Sequence, residues 1–88
     1  MHSYFADWKG FPVAYHGGLM QCLAKAQIWV VGKPKSSVLI LKARVGDKTA
    51  KVIFEVDRKY IIRILGGANV KVSHLLEKCA NYDGKETF

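Results

Sequence analysis

Acidic residues are scarce in this chain. Its 88 residues carry 7 Asp and Glu against 14 Lys and Arg, a formal net charge of +7, so a broad acidic surface offered to a basic partner is excluded. Cysteine is nearly absent as well. Cys22 and Cys79 are the two present, too few for a disulfide framework, and each sits in an apolar run, so both are read as small core residues kept as thiols. Together with three scattered histidines they lack the close pairs that zinc ligation requires, and neither a metal nor a cofactor is expected. Long apolar runs are missing too: Ile28 to Val31 is far short of a bilayer span, so no membrane segment is expected. His2, Asp7 and Lys9 interrupt the N-terminal region, which therefore does not read as a signal peptide, and the expected compartment is the cytoplasm. No close carboxylate pair and no phosphate-binding glycine loop occurs. His16-Gly17-Gly18 lacks a nucleophile-elbow serine to accompany it and is read as a turn before a helix.

What is present suffices for one small globular domain spanning 1–88: half of the residues are hydrophobic, and a chain this short cannot divide its buried surface between two cores. The expected class is α+β, an antiparallel meander of three or four strands with a short N-terminal helix and a C-terminal helix packed on one face. The aromatic segment from Tyr4 to Tyr15 is aperiodic, and its rings are expected to close one end of the core. Leu19, Cys22, Leu23 and Ala26 form one stripe of a short helix. For Ile28 to Val31 a strand and a continued helix both fit, and the β-branched and aromatic content favours the strand. Then comes the clearest pattern in the chain. Gly46-Asp47 reverses a hairpin that pairs Val45 with Lys48, Ala43 with Ala50, Leu41 with Val52 and Leu39 with Phe54. A three-residue loop at Asp57-Arg58-Lys59 then pairs Val56 with Tyr60, Phe54 with Ile62 and Val52 with Ile64, which keeps all of these side chains on one core face. After Gly66-Gly67, Val72, Leu75, Leu76 and Cys79 make the stripe of the C-terminal helix, with Asn69 or Ser73 as its N-cap and Gly84 as its stop. The tail from 85 to 88 is expected to fray.

The positive charge is not spread evenly. Lys33, Lys35, Lys42, Arg44, Lys48, Lys51, Arg58, Lys59 and Arg63 face only Asp47, Glu55 and Asp57, so six of the seven net charges lie between Lys33 and Leu65. The hairpin register sets Lys42 directly opposite Lys51 on the face away from the core, with Arg44 and Arg63 on that same face and Lys48, Arg58 and Lys59 in the turns. Like charges facing each other cost a sheet a fraction of a kcal/mol, a cost that a bound phosphate offsets. These seven cations are the candidate nucleic-acid contacts. No helix carries a basic face suited to a DNA groove, so the expected partner is RNA or another single strand, bound through its backbone with little sequence preference and without catalysis. Ile40, Ile53, Ile61 and Leu65 share the charged face. Either the N-terminal segment or a second copy of the chain is expected to cover them, and a homodimer is preferred. The biological setting that suits such a chain is a phage-encoded regulator or counter-defence inhibitor acting on a host nuclease or toxin. Two alternatives remain open. One is a metal-independent endoribonuclease of toxin–antitoxin type using Arg63, Lys51 and His74; the other is a protein-binding inhibitor that does not touch nucleic acid.

Overall fold

The N-terminal segment, which shows no alternation of apolar and polar residues, forms the middle of the sheet. In the computed structural model, which describes residues 1–85, His2–Trp8 is strand β1 and Ala14–Gly17 is β2. Helix α1 spans Leu19–Gly32, and then come β3 at Val38–Arg44, β4 at Thr49–Val56, β5 at Ile61–Arg63, β6 at Asn69–Lys71 and helix α2 at Val72–Ala80. The strand order is β2-β1-β3-β4-β5, with β6 also on β4, and every pairing is antiparallel. The class is α+β, as the sequence implies, but among the described residues the sheet has six strands. The strands beyond the expected meander are β6 and the aromatic hairpin β1–β2. Because β1 lies between β2 and β3 and is covered from both sides, Phe5, Ala6 and Trp8 are all buried and the period of two vanishes from its sequence. The expected fraying of the tail falls, beyond Lys85, outside the described residues.

Ile28 to Val31, favoured as a strand, lies near the C-terminal end of α1. Continuing the helical stripe from Cys22 and Ala26 reaches Trp29 and Val30, which are buried, and leaves Ile28 and Val31 at the surface. Helical periodicity buries Trp29 against the sheet, and this outweighs the strand preference of its neighbours.

The hairpin of β3 and β4 pairs Lys42 with Lys51 and Leu41 with Val52, the register read from the sequence. Its turn falls one residue early. The Asp47 N–H donates to the Arg44 carbonyl at 3.0 Å around Gly46, whose φ of +91° suits glycine, so Val45 lies at the tip and is exposed instead of in the core. Past Leu41 the register slips, with Ile40 opposite Phe54 and Val38 opposite Val56. Ile53 is thus the extra residue of a β-bulge, and it turns Phe54 and Val56 to the face opposite the one expected. The reversal after β4 also takes a residue more than expected, pairing Val56 with Ile61 and Phe54 with Arg63. Asp57 accounts for it. Its carboxylate accepts from the N–H groups of Lys59 and Tyr60 at 2.8 and 2.9 Å, an Asx turn that leaves Tyr60 exposed just ahead of β5.

Each face of the sheet carries a core. On the front, Trp29 stacks on Trp8 at 4.9 Å, and Cys22, Ala26 and Val30 of α1 pack with Ala6, Val38, Ile40 and Val56. On the back, Leu75 of α2, aided by Val72 and Cys79, packs on Phe5, Leu41, Ala43, Ala50 and Val52. Lys71 occupies the N-cap position of α2, ahead of Ser73 and beyond Asn69, which stays in β6. Lys78 anchors α2 by an ion pair to Asp7 and a bond to the Trp8 carbonyl.

β5 and β6 amount to one edge strand with an interruption. From Arg63 to Asn69 the chain advances six residues while its partners on β4 step back three, from Phe54 to Lys51. The excess residues bulge outward and return at Gly67, where a Cβ would meet the Val52 carbonyl oxygen at 2.3 Å. Gly67→Ala is therefore expected to cost about 1–3 kcal/mol and to lower the melting temperature by about 4–8 °C per kcal/mol. Thermal unfolding followed by circular dichroism checks this; an unchanged midpoint would contradict so close an approach.

Candidate nucleic-acid interface

Four cross-strand rows cover the front face. His2 lies opposite Arg44, and Tyr4, Lys42 and Lys51 follow in the next row. The third row is Ala6, Ile40, Phe54 and Arg63, and the fourth is Trp8, Val38, Val56 and Ile61. α1 is seated over the last two, because Trp29 stacks on Trp8 and Ala26 and Val30 pack with Ile40 and Val38. The first two rows stay open. With Arg63 they form a cleft of about 580 Å³, with Ile53 and Phe54 in its lining, Leu19 of α1 on one side and Leu65 and Gly66 of the edge bulge on another.

Of the seven candidate contacts, Lys42, Arg44, Lys51 and Arg63 line this cleft. Lys48, Arg58 and Lys59 lie exposed in the turns and do not. Lys33 and Lys35 go elsewhere, to a second concavity beyond the last turn of α1 shared with Lys9, Phe11, Pro34 and Ser36. Among the described residues the four cleft cations make no ion pair; Asp47, also in the lining, instead accepts from the Arg44 backbone N–H at 2.9 Å. Lys42 is half-buried and faces Lys51 across one pair of strands. This is a concentration of positive charge in which Asp47 is the one acidic residue of the lining, and it is disposed to take an anion.

Two residues of the cleft escaped sequence reasoning, His2 and Tyr4. The signal that places them is the spacing His2, Tyr4, Ala6, Trp8, one face of a strand, which is legible only once that segment is known to be a strand. His2 is exposed, yet its imidazole is held below the usual value of 6.5, first by desolvation, then by the charges of Lys42, the N-terminal amine and Arg44, with Asp47 pulling the other way. His74, by contrast, is exposed on α2, which packs on the back of the sheet, so it does not join Lys51 and Arg63. Both thiols are free, and burial pushes Cys22 up to about 11 and raises Cys79 as well. Among the described residues no three His, Cys, Asp or Glu side chains gather as a metal site, and no helix is long and apolar enough to cross a membrane.

In an NMR titration the His2 imidazole is expected to titrate below 6.5, and Lys42→Gln should move it upward by removing a neighbouring cation. A wild-type value at or above 6.5 would detach His2 from these cations. No family model, curated protein or solved structure matches the chain.

Proposed function

We propose that this chain binds single-stranded nucleic acid, RNA foremost, by holding phosphates in the front cleft. The observation that carries the reading is the facing pair Lys42 and Lys51, flanked by Arg44 and Arg63 and free of ion pairs among the described residues. Such a cluster raises the energy of the free protein, and a phosphate accepting from both ammonium groups relieves it. The cations lie in a concavity and, among the described residues, no helix offers a basic ridge, which suits a flexible strand better than a rigid duplex. Phe54, although aromatic, is half-buried against the front core, so affinity rests mainly on charge and sequence preference is weak. Free thiols fit a reducing compartment, and the setting proposed with this function is the cytoplasm.

One observation favours a second reading, metal-independent cleavage of RNA: His2 lines the cleft among the cations, where desolvation and their charge hold its imidazole below the usual 6.5. There it takes the proton from a ribose 2′-hydroxyl as that oxygen attacks the adjacent phosphorus; the P–O5′ bond breaks to give a 2′,3′-cyclic phosphate and a 5′-hydroxyl protonated by water, while Lys42 and Arg44 stabilise the phosphorane.

A single substitution separates these readings from each other and from a purely structural role of the lysines. Lys51→Glu places opposite charges across the strands, so stability should rise by about 0.2–1 kcal/mol while RNA affinity falls by about a hundredfold. Wild-type affinity should fall with salt with a log–log slope of about −3 to −5. Labelled RNA incubated with wild type and variant, with melting curves for both, checks all of this. Shortened RNA supports cleavage, a salt-sensitive shift of intact RNA supports binding, and no interaction leaves the fold to a protein partner alone.

A further inference from the structure

One edge of the sheet is covered by its own chain and the other is open. Asn81 Nδ2 donates to the Pro12 carbonyl just ahead of β2, and the Tyr82 ring stands edge-on to Tyr15 within it. At β5, Ile61, Ile62 and Arg63 are all exposed, and Tyr60 and Leu65 beside them are 58% and 82% exposed. The hydrogen bonds from Asp57 N–H to the Tyr60 carbonyl and from Ile64 N–H to the Ile53 carbonyl show which backbone groups β4 already holds. Residues of an antiparallel ladder alternate in the direction of their backbone groups. Tyr60, Ile62 and Ile64 therefore turn theirs to β4, while Ile61 and Arg63 present N–H and C=O outward. An uncovered edge with apolar side chains is a template for another strand.

We infer that the strand it takes is the β5 of a second copy of this chain, paired antiparallel about a twofold axis at Ile62. In that register Ile61 of each copy lies opposite Arg63 of the other and exchanges both backbone bonds with it, so every outward group is satisfied. The two Ile62 side chains meet in a non-hydrogen-bonded pair, with Cα atoms about 4.5 Å apart. Charge pattern is what selects a copy of this chain in this register. Arg63 falls opposite Ile61, so no two cations face each other across the three paired residues. The axis stands perpendicular to the sheet and keeps both front faces on one side. Arg63 of each copy then marks the seam, and two clefts become one cationic surface. The pairing itself does not depend on what the cleft binds; only the doubled surface rests on the nucleic-acid reading.

Sedimentation equilibrium on nuclease-treated protein tests it over about 1–100 μM, a range suited to a small interface. The expected species has twice the mass of the chain, and salt should strengthen it by screening two chains of net charge +7, the reverse of its effect on RNA binding. Ile61→Pro removes an outward N–H at an edge position where proline is tolerated, and should raise the dissociation constant at least about tenfold. Ile62→Lys sets two ammonium groups face to face and should do the same without touching the backbone. Ile62→Cys should form a disulfide-linked dimer under mild oxidation, since the facing Cα atoms fall within bridging distance, whereas Val31→Cys, exposed on α1, should not. A wild-type chain that stays monomeric over this range overturns the inference and leaves the edge to a strand of another protein. So does a dimer that neither Ile61→Pro nor Ile62→Lys weakens. Salt-sensitive RNA binding by a monomer would overturn the dimer alone and leave the reading of the cleft intact.

Discussion

The stack of Trp29 on Trp8 decides where α1 lies, and the rest of the front face follows from that. Trp8 closes β1 with Phe11 on one side at 4.3 Å and Trp29 on the other at 4.9 Å, and its indole N–H donates to Ser36 in the loop after α1. Aromatic pairs of this kind add about 0.5–1.5 kcal/mol beyond their buried area and are specific in geometry, so the helix is drawn to the Trp8 end of the sheet. A helix centred over the strands would cover Lys42 and Lys51. Seated as it is, it buries Ile40 and Val38 and stops short of Tyr4 and His2.

The two bulges complete what the helix leaves open. The first, at Ile53, brings Phe54 as well as Ile53 to the front and gives the cleft an apolar lining. The second carries Leu65 and Gly66 out from the edge before Gly67 returns the chain to β4. Bulges re-aim side chains at the rims of sheets. Here they turn a flat basic surface into a concave one that brings Arg63 within reach of the lysine pair. On the other side, α2 and the Lys78–Asp7 ion pair cover the back of the sheet, so the front is the face free to meet a ligand.

Local pairing was legible and distant pairing was not. Lys42 opposite Lys51 follows from one tight turn and a few alternating residues, and it survives the shift of the turn itself because the ladder beyond is held by apolar pairs such as Leu41 with Val52. The bulge at Ile53 left no trace, since Val52, Ile53 and Phe54 are apolar in succession and either register buries a comparable surface. Ile28 to Val31 misled through composition, because strand formers in a helix are tolerated where Trp29 has a ring to stack on. Tyr4 and Phe5 misled through burial, because a strand covered on both faces loses its alternation.

By itself, then, the sequence determined the α+β class, the C-terminal helix on one face, the excess of cations in the middle third and the lysine pair at its centre. These depend on periodicities and turns that span a few residues, where steric and hydrophobic preferences act within one hairpin or helix. Only the tertiary structure decided that β1 would sit beside β3, bringing His2 to Arg44 and Tyr4 to Lys42 from some forty residues away, and that α1 would cover half the front face. Contacts at that separation are chosen by which packing of helix and sheet buries the aromatic rings best, a competition among whole arrangements that no short stretch of residues records.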